Sequence, residues 1–192
     1  KLSDEYNHWM FKEILDQIKL NILVDPVTNK LRYNNNNVLL NLEFIKPCKY
    51  LYIIGCGSSY YAGLIASNFF RYTKAFEFVN VYDGGEFTRA HLEAIENPEE
   101  DLLILLLSQS GETRDLNIAT TICREYSSNR INKLKPNDVL INNEFDFEKN
   151  ITKDNLKEIK IIGIINVIGS LISRRTIDNI YVNCGRENSV AS

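Results

Sequence analysis

A chain of 192 residues, 44% apolar and 10% aromatic, can bury one ordinary core with a short extension, which excludes wholesale disorder. A net charge of −3 with no basic run excludes a nucleic-acid binder held by phosphate neutralisation. The longest apolar stretches reach about half the ~20 residues of a spanning helix, and no signal-peptide pattern opens the chain, so a cytoplasmic protein without membrane contact is expected.

In chain order, Trp9, Met10, Ile14, Ile18 and Ile22 recur at mostly four-residue spacing, predicting a helix over Asp4 to Ile22 that Asp25-Pro26 ends. The polar run Asn34 to Asn37 reads as a loop. Tyr50 to Ile54 is a short apolar strand running into Gly55-Cys56-Gly57, and Ser59 opens a helix to about Tyr72. Phe78 to Tyr82 is a second strand and Glu86 to Ile95 a second helix. Leu102 to Leu107 is unbroken aliphatic, the mark of a strand covered on both faces. It runs into Ser108-Gln109-Ser110-Gly111-Glu112-Thr113 and a helix from Arg114 to about Tyr126. Ile159 to Asn166, Ser170 to Arg175 and Asn179 to Val182 then read as strand, short helix and strand.

Strands alternating with helices mean parallel pairing with right-handed crossovers. The predicted fold is α/β: a three-layer, doubly wound parallel sheet of about five strands in flavodoxin-like order. Residues 1–45 are expected to be an N-terminal helix and linker, and residues 46–192 the domain. A polar segment rich in Asn, Lys and Asp, about 129–158, is expected to be a surface insertion, with a small hairpin possible at Val139-Leu140-Ile141 and Phe145 to Phe147. The chain starts at Lys1 rather than methionine and stops at Val190-Ala191-Ser192, so a piece of a longer protein is expected, its domain cut short at the C-terminus.

Open parallel sheets bind ligands beyond the carboxyl ends of their strands. Three polar segments fall there: Gly57-Ser58-Ser59, Ser108 to Thr113, and Asn183 to Ser192. The second places hydroxyls, an amide and backbone N–H groups at a helix start, where the dipole and unpaired donors favour an anion. Gly111 allows close backbone approach. The plainer alternative is a polar turn whose hydroxyls only cap the next helix.

Other residues carry weaker signals. Gly55-Cys56-Gly57 begins a GxGxxG pattern, but Tyr60 stands where the third glycine would be, which argues against a dinucleotide site; no GxxxxGK[ST] loop exists either. Cys48, Cys56, Cys123 and Cys184 are far apart and form no CxxC pair, so neither zinc nor a disulfide framework is expected, and a reducing compartment is. Cys56 lacks a neighbouring histidine and reads as packed, not nucleophilic. His8 and His91 read as surface or packing residues with no metal set around them. Glu112 sits where a carboxylate usually complements a helix dipole, so it is not expected to act as a base.

Cys56-Gly57-Ser58-Ser59-Tyr60, Ser108–Thr113 as SQSGET, and Glu187 through Val190-Ala191-Ser192 together resemble the sugar isomerase (SIS) domain. More narrowly, they are similar to the first of two such domains in the glutamine–fructose-6-phosphate aminotransferase family, whose usual forms are CGTSY, SQSGET and EIGVAS. The resemblance covers Tyr50 to Ser128 and Ile159 to Ser192, and Asp4 to Gln17 is similar to the helix preceding the domain. It implies that Ser58 and Ser59 line a fructose 6-phosphate site and that Ser108, Gln109, Ser110 and Thr113 wrap the phosphate. Gly57 and Gly111 would supply loop backbone, and Val190 and Ser192 would contact the sugar. Ser58 replaces the family's threonine and keeps its hydroxyl; Asn188-Ser189 replaces Ile-Gly.

The resemblance also implies what lies elsewhere. An amino-terminal glutaminase domain releases ammonia in the family, and a second SIS domain with the tail supplies the lysine, glutamate and histidine of the chemistry. No catalytic residue, metal or organic cofactor is therefore expected in this stretch, which alone should be inactive. Fructose 6-phosphate or glucosamine 6-phosphate is the implied ligand, and a homodimer the implied assembly. A non-catalytic, phosphosugar-sensing SIS module of a regulator is the alternative; flanking domains would discriminate the two.

Overall fold

Unbroken aliphatic runs build the sheet because each of its central strands must be dry on both faces. A computed structural model describes residues 8–16, 22–24, 31–33, 45, 47–134, 159–182 and 184. Five parallel strands form one sheet: β3 (Tyr50–Gly55), β4 (Phe78–Asp83), β5 (Leu102–Ser108), β6 (Lys160–Ile165) and β7 (Asp178–Tyr181), in the order β4-β3-β5-β6-β7. This is the flavodoxin-like order expected, with helices on both faces.

Period-two alternation sorts the core into two layers. Tyr52, Ile54, Leu102, Ile104, Leu106, Ile161 and Ile165 face one side. There they meet Leu92 of α3 (Arg89–Glu93), Leu116, Ala119 and Cys123 of α5 (Arg114–Leu134), and Ile172 of α6 (Leu171–Arg175). Leu51, Ile53, Val79, Leu103, Leu105 and Ile162 face the other side, against Ala66 and Phe70 of α2 (Ser58–Thr73). Gly63 lets α2 lie close, since a Cβ there would come 2.9 Å from Ile53 Cγ2.

Several boundaries move. The amino-terminal helix is α1, Trp9–Asp16, and Ile22 belongs not to it but to β1 (Ile22–Val24), which pairs antiparallel with β2 (Leu31–Tyr33). Ile22-Leu23-Val24 carries two β-branched residues, which favour extended backbone over another helical turn. On α1, Met10 and Ile14 of the predicted apolar face are each more than half exposed, as is Phe11 beside them, while Trp9 is partly buried.

The helix predicted from Glu86 shortens to Arg89–Glu93, because Thr88 is extended and caps it: its N–H donates to His91 Nδ1 at 3.0 Å. A short helix α4 (Pro98–Asp101), with proline in its first turn, was not anticipated. Helix α5 runs past Tyr126 to Leu134, into the stretch read as insertion. The possible hairpin at 139–147 lies outside the described residues.

Candidate phosphate-binding site at the switch point

The order of the strands creates the site. From β3 the chain crosses through α2 to β4 on one side, while from β5 it crosses through α5 to β6 on the other. Strands β3 and β5 are direct neighbours, Gly55 lying opposite Leu107. Their carboxyl ends flank the topological switch point, where the crevice of a doubly wound sheet opens. The amino ends of α2 and α5 both start there, from opposite layers, and both favour negative charge. The two polar loops singled out in the sequence are thus brought side by side.

The loop after β5 is shaped by its own hydroxyls. Alternation along β5 turns Ser108 towards the α5 layer, where it is only 5% exposed. Its Oγ accepts the Gly111 N–H at 2.9 Å and lies 3.1 Å from Thr113 Oγ1. Ser110 Oγ accepts the Glu112 N–H at 3.2 Å. Gly111 has φ +68°, the left-handed region that favours glycine, and a Cβ there would collide with the Ser170 side chain. Gln109, Ser110 and Thr113 remain partly exposed at the loop's rim. Ser108 is therefore the loop's inner support, while the other three stay partly open to solvent.

The loop after β3 is tighter. Gly57 (φ +57°) turns the chain into α2, and its carbonyl accepts the Tyr60 N–H at 3.1 Å. Ser58 is exposed and Ser59 half-exposed in the first turn of α2. Close helix–strand approach, which the absent third glycine would have allowed, comes from Gly55 instead: a Cβ there would lie 2.8 Å from the Ser59 carbonyl carbon. Tyr60 stays half-exposed and meets the Tyr61 ring edge-on. Of the third polar segment only Cys184 is described; Glu187, Val190 and Ser192 lie outside the described residues.

Glu112 lies just ahead of α5 rather than in its first turn, and it serves a second helix as well. Its Oε1 accepts the Leu171 N–H of α6 at 2.8 Å. Sequence reasoning also passed over the corner between β6 and α6. Asn166 donates its N–H to the Gln109 carbonyl at 3.2 Å, and its side chain accepts the Cys184 N–H at 2.9 Å. Ser170 is buried against Gly111, and its Oγ has no hydrogen-bond partner among the described residues. The available signal was a third strand–loop–helix junction, Asn166 to Ser170, at the same edge of the sheet.

The remaining candidates are structural. His91 packs between the rings of Tyr82 and Phe87 and caps α3. Burial pushes the Cys56 thiol up, only partly offset by the Gly84 N–H, so no thiolate nucleophile is prepared. Among the described residues no cluster of His, Cys, Asp or Glu could hold a metal ion, and no helix is long and apolar enough to cross a membrane.

Residues 44–131, which hold this switch point and both of its loops, match the SIS domain family. The chain is homologous to glutamine–fructose-6-phosphate aminotransferases over nearly its whole length. It is 29% identical over 189 residues to a probable enzyme of that name (isomerizing) from Acanthamoeba polyphaga mimivirus, covering 97% of this chain. With the Thermotoga maritima aminotransferase it is 27% identical over 190 residues, again 97% of this chain. In both cases the match spans only 25% of the relative's length. The C-terminal domain of the glucosamine-fructose-6-phosphate aminotransferase of Francisella tularensis shares the fold, with a TM-score of 0.60 and 23% identity, over 100% of this chain and 44% of that one.

Proposed function

We propose that this SIS domain binds fructose 6-phosphate, within a longer aminotransferase that makes glucosamine 6-phosphate from it and glutamine. The observation that carries the reading is the pairing of two helix amino ends across the β3–β5 switch point, with the Ser108–Thr113 loop between them. In this reading Ser110, Thr113 and Ser59 donate hydroxyl hydrogens to the phosphate, while Gln109 and Ser58 line its edge. Gly57 and Gly111 shape the two loops, Ser108 holds the second from beneath, and Val190 and Ser192 meet the sugar. Residues 46–192 are the domain, and residues 1–45 lead into it with α1 and the β1–β2 pair.

A glutaminase domain and a second SIS domain of the same polypeptide would be its partners, in a cytoplasmic homodimer. The relatives reported above are aminotransferases by name, which favours the enzyme over a phosphosugar-sensing regulator. The test is calorimetric titration of the full-length protein with fructose 6-phosphate and with fructose. Binding of the phosphate form alone is expected; equal affinity for both would overturn the reading.

A further inference from the structure

We propose that Glu112 is a positioning residue that seats the phosphate loop on the amino end of α6, an inference that rests on the function proposed above. Three hydrogen bonds run from the loop to the β6–α6 corner. The Gln109 carbonyl accepts from Asn166 N–H at 3.2 Å, the Gly111 carbonyl from Ile172 N–H at 3.0 Å, and Glu112 Oε1 from Leu171 N–H at 2.8 Å.

Only the last is made by a side chain, and it pairs a carboxylate with the first N–H of a helix, where such a bond is strongest. It flanks a contact with no slack, since Gly111 lies against Ser170 and cannot accept a Cβ. The residues on either side of Gly111, Ser110 and Glu112, are joined by the Ser110 Oγ to Glu112 N–H bond. Releasing Glu112 therefore frees the half-turn that aims the Ser110 hydroxyl. Glu112 is exposed, yet its carboxylate points back to a neighbouring element. Its one side-chain bond thus goes to the loop's support in α6.

The bond can be cut from either end without touching the hydroxyls. Glu112→Leu removes the acceptor, and Glu112→Gln keeps an oxygen acceptor without the charge. Leu171→Pro removes the donor and leaves the charge. Proline is tolerated in the first turn of a helix, and Ser170 already has the extended backbone (φ −63°, ψ 165°) that must precede it.

In the full-length protein, fructose 6-phosphate affinity is measured by calorimetry beside the ligand-free melting temperature. Glu112→Leu and Leu171→Pro are each expected to weaken binding about tenfold, the worth of one charge-assisted hydrogen bond. The double variant should be no weaker than either single one, because both remove the same bond. Glu112→Gln should recover most of the affinity. Unchanged affinity in folded Glu112→Leu or Leu171→Pro overturns the proposal while leaving the binding site intact. So does an equal loss in Glu112→Gln and Glu112→Leu, which would mean that the charge acts on the ligand. No binding by the wild-type protein overturns the functional reading itself, and this inference with it. If Glu112→Leu fails to fold, the comparison of Leu171→Pro with Glu112→Gln decides.

Discussion

Ser108 is 5% exposed while Ser110 and Thr113 stay half-exposed, although all three are hydroxyls on one six-residue loop. Burial and partners assign them different work. Ser108 Oγ answers a buried N–H, so Ser108→Ala leaves the Gly111 donor unpaired, a cost of about 1–3 kcal/mol to folding. Ser110→Ala and Thr113→Ala each remove a hydroxyl able to donate to phosphate, worth roughly a ten- to hundredfold loss of fructose 6-phosphate affinity. Thermal melts without ligand and titrations with it should separate the two groups. The ligand-free melting temperature should fall clearly for Ser108→Ala and little for the other two. If Ser110→Ala and Thr113→Ala melt early yet bind normally, the loop is only a capped turn.

At the scale of elements, α5 ties the site to the core. Its first turn carries the loop, and its buried face carries Leu116, Ala119 and Cys123 onto β5 and β6. Cys123 is 1% exposed, and burial pushes its thiol from 9.0 up to about 12. The folded chain thus holds this proton where the unfolded chain gives it up. The contribution is whole below pH ~9, the thiol's unfolded range, and is lost as pH rises towards the folded value. Urea midpoints measured upward from about pH 8 should therefore fall, with a slope of at most about 1.4 kcal/mol per pH unit from this group. Cys123→Ala should start lower because of the cavity it leaves, and then fall less steeply. A parallel pH dependence in wild type and Cys123→Ala would refute the assignment.

For the molecule as a whole, the anion cradle proposed at the paired helix starts would not by itself perform the proposed amino-sugar synthesis. The described loops at the carboxyl edge of the sheet carry hydroxyls, amides and carboxylates and no lysine or histidine. The one carboxylate in the Ser108–Thr113 loop is engaged with α6. The 192-residue chain alone is therefore expected to form no glucosamine 6-phosphate from fructose 6-phosphate with either glutamine or ammonia. Product above background in a discontinuous assay would contradict this. The chain spans a quarter of the length of the relatives it matches.

Alternation of aliphatic runs with helical ones was enough to predict the parallel sheet, since only a strand dry on both faces tolerates Leu102-Leu103-Ile104-Leu105-Leu106-Leu107. The hydroxyl-rich loops were legible for a similar reason: they interrupt apolar runs at strand ends, where doubly wound sheets bind ligands. Local signals did not reach further. That Ser108 is buried while Ser110, of the same parity, is not depends on β5 ending at Ser108 against the α5 layer and the loop turning away beyond it, and that Glu112 serves α6 depends on a contact 59 residues away. Nothing in the neighbourhood of Glu112 distinguishes a carboxylate that complements its own helix from one that caps another. Likewise Asn166 and Ser170 look like an ordinary strand end and helix cap until the sheet order sets β6 beside β5. Periodicity is a property of neighbouring residues and survives in the sequence; the partner of a buried hydroxyl or a capping carboxylate exists only once distant strands have paired.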